Sequence, residues 1–126
     1  MAVEIVVLVP MLVLVLVLIV AFGRYVTTEG DAQAAAREAV RAASLERDEA
    51  SALAAAQAAA RASTPTGLVC EPATLTGAFV AGGTVTAELR CTVSWSNLGL
   101  VGLHGSAEVS ASSSAPLDLY RRTGAP

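Results

Sequence analysis

Residues 5–22, IVVLVPMLVLVLVLIVAF, form an unbroken run without a charge, and its reading decides the rest of the fold. At about 1.5 Å per residue the run covers roughly 27 Å, the thickness of a bilayer's hydrocarbon core. In lipid an unpaired backbone group is so costly that even a valine-rich stretch adopts a helix. Pro10 is expected to kink that helix one turn in. A cleaved secretory signal has a shorter apolar part, basic residues ahead of it and a small-x-small site behind it. Here Glu4 stands where the basic flank would be, and the exit reads Phe22-Gly23-Arg24-Tyr25. Residues 1–26 are therefore read as one transmembrane helix.

Working outward, residues 29–63, EGDAQAAAREAVRAASLERDEASALAAAQAAARAS, contain no proline and a single glycine, a composition near the top of the helix-propensity scale. The expectation is one long stalk helix over residues 27–64, continuous with the membrane helix, so that residues 4–63 make a rod of roughly 90 Å. Ser63-Thr64-Pro65-Thr66-Gly67 closes it, because the residue before a proline is pushed out of the α region. The large apolar side chains of the stalk are Val40, Leu45 and Leu53, while alanines recur on every side. Two readings stay open: packing against neighbouring rods, or a solvated helix held by propensity and by charges such as Arg37, Glu38 and Arg41. The alanine repeats are too irregular for a heptad seam.

Beyond Gly67 the period changes to two. Val85, Ala87, Leu89, Cys91, Val93 and Trp95 alternate with Thr84, Thr86, Glu88, Arg90, Thr92 and Ser94, which reads as a strand with one buried face. Ser96-Asn97-Leu98-Gly99 supplies a turn, after which Val101, Leu103, Gly105, Ala107, Val109 and Ala111 alternate with polar residues as a second strand. Residues 68–70 and 74–80 are shorter candidates, with Gly82-Gly83 turning into the long strand. The fold class is α+β: a long N-terminal helix followed, over residues 65–126, by a small antiparallel sheet of three or four strands that the stalk covers on one face.

Such a small core profits from a staple. Cys70 and Cys91 are the only cysteines, both in this segment, and a bridge between them is favoured over two free thiols. A bridge requires an oxidising compartment, which places the β domain outside the cytoplasm and the N-terminus inside. Arg24, after the run with no Lys or Arg before it, points the other way by the positive-inside rule, and the cysteines are given the greater weight.

The 126 residues carry 11 acidic and 8 basic side chains, for a net charge of −3, and every basic residue is Arg. No polybasic surface for nucleic acid results. With 1 histidine, 2 cysteines and no CxxC or HExxH spacing, no metal site or cofactor is expected. His104 and Asp118 invite a hydrolase reading, but His104 falls on the polar face of an expected strand beside Ser106 and Glu108, and there is no GxSxG elbow. Trp95 reads as core or rim packing. Glu4 is the odd residue of the membrane helix: it is either an interfacial carboxylate favoured by the helix dipole or a partner for a positive group on a neighbouring subunit.

Ala2-Val3-Glu4-Ile5 with the following apolar run and Pro10, Phe22-Gly23-Arg24 at its exit, and Ala34-Ala35-Ala36-Arg37-Glu38-Ala39-Val40-Arg41-Ala42-Ala43 beyond it resemble the TadE-like family, the pseudopilins of the bacterial tight-adherence pilus. The tail Ser114-Ala115-Pro116-Leu117-Asp118-Leu119-Tyr120-Arg121 and the cysteine pair resemble actinobacterial-type members. The resemblance implies a pilin-like architecture, a role in pilus assembly or initiation, and processing by a prepilin peptidase after a glycine. It also implies a glutamate at the fifth mature position that neutralises a neighbouring subunit's terminal amine inside the apolar bundle, tolerable in low dielectric mainly when paired. Glu4 matches that glutamate. Counted from Met1 it stands at position four, with no basic leader before it, so either the start lies upstream or the chain is not processed.

The expectation is thus a non-enzymatic, single-pass protein of the bacterial cell membrane, with partners among pilin-like subunits and pilus assembly proteins. Two alternatives are carried beside it. One is a membrane-tethered extracytoplasmic binding module unrelated to pili, and the other is an envelope enzyme using His104 or Asp118.

Overall fold

The computed structural model describes residues 1–100 and 102–120. Its elements run α1 (Ala2–Leu45), α2 (Glu49–Ser63), β1 (Leu68–Cys70), β2 (Thr74–Gly77), β3 (Thr84–Ser94) and β4 (Ser106–Pro116). The α+β class expected from the alternation of periods is the one observed.

The single rod is not. α1 passes through Pro10 without interruption and continues beyond the apolar run, but it stops at Leu45, and the chain turns back into α2. At the break Glu46 adopts an extended backbone and its N–H closes onto the Ala43 carbonyl. Asp48 then caps α2, its carboxylate accepting from the Ser51 N–H at 2.9 Å. The physical reason is burial. Ala32, Ala36, Ala39 and Ala43 recur at helical spacing on α1, and Ala52, Ala56 and Ala60 on α2, and each of these is at most 3% exposed. A straight rod would leave both alanine stripes in water, whereas the hairpin presses them together and onto the sheet. The buried alanine faces thus pack within the chain, while Ala34, Ala50, Ala54 and Ala58 remain exposed.

The sheet is antiparallel throughout. β4 pairs with the full length of β3, from Thr84 opposite Pro116 to Ser94 opposite Ser106. β1 and β2 lie end to end along the other edge of β3, with Cys70 opposite Cys91 and Thr74 opposite Glu88. Between those two pairs the edge advances one residue more than β3 does, so it carries a bulge. Pro72, which lacks an N–H for the ladder, sits in it. The bulge switches the inward parity from even positions, Leu68 and Cys70, to odd ones, Ala73 and Leu75.

The face of β3 expected to be buried is buried: Val85, Ala87, Leu89, Cys91 and Val93 are all below 4% exposed, and Val109 and Ala111 of β4 join them. Ala87, Leu89, Cys91, Val93, Val109 and Ala111 form one core with the alanines of α1 and α2. The opposite face, with Thr86, Glu88, Arg90, Thr92, Ser110 and Ser112, is polar.

Two strand limits differ from the sequence reading. β2 ends at Gly77 and not at Val80. β4 begins at Ser106, so Leu103 and Gly105 belong to a loop, because Gly102 and Gly105 take positive φ values of 94° and 140° that interrupt an extended strand. Val101 and Arg121, named above in the second strand and the tail motif, lie outside the described residues.

Candidate assembly site

The apolar part of α1 is exposed all round. From Val3 to Val20 its large side chains are 42–78% accessible, with no face turned into the protein. Among the described residues this is the one helix long and apolar enough to cross a membrane. Glu4 lies exposed in its first turn, and among the described residues it has no ion-pair partner.

The head begins where the exposure ends. Ala21 falls to 9%, and Arg24 Nη1 donates to the Asn97 carbonyl at 3.2 Å. Asn97 Nδ2 in turn donates to the Gly67 carbonyl at 3.1 Å. One short chain of hydrogen bonds therefore ties the helix, the β3–β4 loop and the start of β1 together at the base of the head. Sequence reasoning placed Arg24 and Asn97 separately, one as a topology signal and one as a turn residue. Nothing in their spacing announces that they meet.

Cys70 and Cys91 are joined, with their Cα atoms 3.9 Å apart. The Glu71 N–H donates to the Arg90 carbonyl at 2.8 Å, so Cys70 and Cys91 form the adjacent non-hydrogen-bonded pair, in which facing side chains come closest. Cys91 is 1% exposed, while Cys70 is half-buried beside Thr64 and Gln57. Gln57 Nε2 donates to the Ala73 carbonyl at 3.3 Å, fastening α2 to the bulge.

His104 is exposed at the head of β4, and Asp118 lies beyond its far end, where its carboxylate accepts from the Tyr120 N–H at 3.0 Å. The 11-residue strand β4 separates the two, about 35 Å of extended chain, so they do not form a pair. Among the described residues no three His, Cys, Asp or Glu side chains converge as a metal site. Trp95 packs half-buried at the base of the β3–β4 loop, close to Gly105.

These features define a class: a small disulfide-bridged α+β head carried on one candidate membrane span. Residues 1–41 match the family model described as TadE-like protein. No curated protein and no solved structure matches the chain.

Proposed function

We propose that the chain is a minor pilin-like subunit of a tight-adherence pilus or related secretion system, acting by assembly and not by catalysis. The observation that carries this reading is the coincidence of two stretches. The family match covers residues 1–41, and the same segment holds a helix whose large apolar side chains are exposed on every side through Val20. A surface apolar all round suits lipid while the subunit waits in the membrane and suits neighbouring helices once it assembles.

In this reading the N-terminus is cytoplasmic and the head lies outside the bacterial membrane, where its disulfide is stable. Glu4 supplies the negative charge that a neighbour's terminal amine needs in a low-dielectric bundle. The decisive experiment is Glu4→Gln, which keeps size and removes charge. Membrane anchoring and the disulfide are expected to persist while pilus assembly and crosslinking to pilin-like partners are lost. Unchanged pili would favour a plain tether with a binding head. His104→Ala is expected to leave the phenotype intact, and a loss there would return an enzymatic role to consideration. Mass spectrometry of the mature N-terminus reads processing by a prepilin peptidase directly.

A further inference from the structure

Gly99, in the loop that follows β3, lies beside the last turn of the apolar run. A Cβ built on Gly99 would lie 3.9 Å from both Val20 Cγ1 and Arg24 Nη1. Val20 belongs to the apolar run, so any bilayer that covers residues 5–22 has its hydrocarbon boundary within about one helical turn, 5.4 Å, of this loop.

The chemistry of the loop suits that position. From Trp95 to Gly105 the sequence WSNLGLVGLHG contains no Asp, Glu, Lys or Arg. Leu103 is 54% exposed, and Phe22 on the neighbouring helix is 70% exposed. Trp95 stands at the loop's base, and tryptophan is enriched at the headgroup level of membranes. Arg24 uses one guanidinium N–H on the Asn97 carbonyl, and its exposed head has further donors for lipid phosphates at the same depth. The next charged residues along α1 are Glu29 and Asp31, about 7–10 Å further from the boundary.

We propose that this loop is a second membrane contact. Leu103 enters the interfacial zone beside the helix, and Arg24 clamps the loop from one side while meeting lipid phosphate on the other. The head is thereby seated on the bilayer and does not swing on its tether. The partner is the lipid interface, continuous with the lipid-facing surface of α1, and the inference rests on reading α1 as a membrane span.

Single cysteines introduced as Leu103→Cys, Leu14→Cys and Ser112→Cys, each in the full chain with the native bridge intact, carry the test. Each is labelled with an environment-sensitive fluorophore and reconstituted at one chain per nanodisc of phosphatidylethanolamine and phosphatidylglycerol. Quenching is read from spin-labelled lipid bearing its nitroxide near the top of the acyl chain and from aqueous iodide. Position 14 should respond to lipid quencher alone. Position 112, about 20 Å along β4 from its start, should respond to iodide alone. Position 103 should show at least a twofold greater lipid quenching than position 112 together with reduced iodide access. If position 103 behaves like position 112 while position 14 is lipid-quenched, the loop contact is wrong and the span stands. If position 14 is open to iodide, the span itself is wrong and the loop contact falls with it. One chain per disc excludes a second copy as the source of the signal.

Discussion

Reducing the Cys70–Cys91 bridge perturbs the head without changing a single residue, and the geometry sets the size of the effect. The sequence separation is 21, and a cross-link over that span removes about 3 kcal/mol of denatured-state freedom in the chain-entropy model. For a head of this size each kcal/mol moves the thermal midpoint by about 4–8 °C, so reduction should lower it by roughly 12–24 °C. The loss has a local component. β1 holds to β3 through only three residue pairs, Leu68 with Val93, Val69 with Thr92 and Cys70 with Cys91, and the covalent tie is the strongest of its attachments. The assay is thermal unfolding of the full chain in nanodiscs with and without a phosphine reductant, followed by Trp95 fluorescence, with amide exchange on the same samples. The Glu71 N–H, bonded to the Arg90 carbonyl, should lose protection in the reduced protein before the β3–β4 ladder does. Midpoints that agree within about 3 °C would refute the reasoning, since they would mean the alanine core holds β1 without help.

Other consequences of the packing are open to equally direct measurement. Leu89, 1% exposed and one of the two largest fully buried side chains among the described residues, should cost about 2–5 kcal/mol when changed to Ala, read by urea unfolding. Ala56→Leu, at a 0% exposed position between the helices, should destabilise by about 1–3 kcal/mol. Ala58→Leu, on the exposed side of the same helix, should stay within about 0.5 kcal/mol; equal effects at the two positions would contradict the hairpin. The Asp48 carboxyl is held below its ordinary value of 3.8, chiefly by the Ser51 hydroxyl, then by the Ser51 and Ala50 N–H groups, with burial opposing. Because folding lowers this pKa, its contribution is present above the unfolded value and disappears as pH falls through the folded one. The difference in thermal midpoint between the native chain and Asp48→Asn, which keeps a capping oxygen, should therefore be constant above about pH 5 and shrink on acidification below it.

How much of this was legible beforehand differs between elements for physical reasons. The apolar N-terminal helix and β3 were plain because their apolar patterns admit one reading each: continuous in the first, strictly alternating in the second. Cys70 and Cys91 were paired by elimination, but their direct opposition depends on the register of β1, which its three residues do not reveal. The break at residues 46–48 was missed because Leu45-Glu46-Arg47-Asp48-Glu49 contains neither glycine nor proline. Alanine has the same high helix propensity whether it faces water or another helix, so composition could not tell a rod from a hairpin. Asp48 three residues before Ser51 was the available mark of a new helix start. The base of the head was hidden for a different cause: Arg24 and Asn97 are 73 residues apart, and only the folded chain makes them neighbours.

The bulge at Pro72 acts as a frame shift written into one edge of the sheet. Were that residue kept but paired in step instead of bulged, β1 and β2 would run as a single straight border in register with the bridge. Past Cys70 every side chain would then change sides, bringing Thr74 and Thr76 against the alanine layer and throwing Leu75 into solvent. The covalent knot and the threonine ornament beyond it can coexist on one margin only because a residue without an amide hydrogen separates their phases.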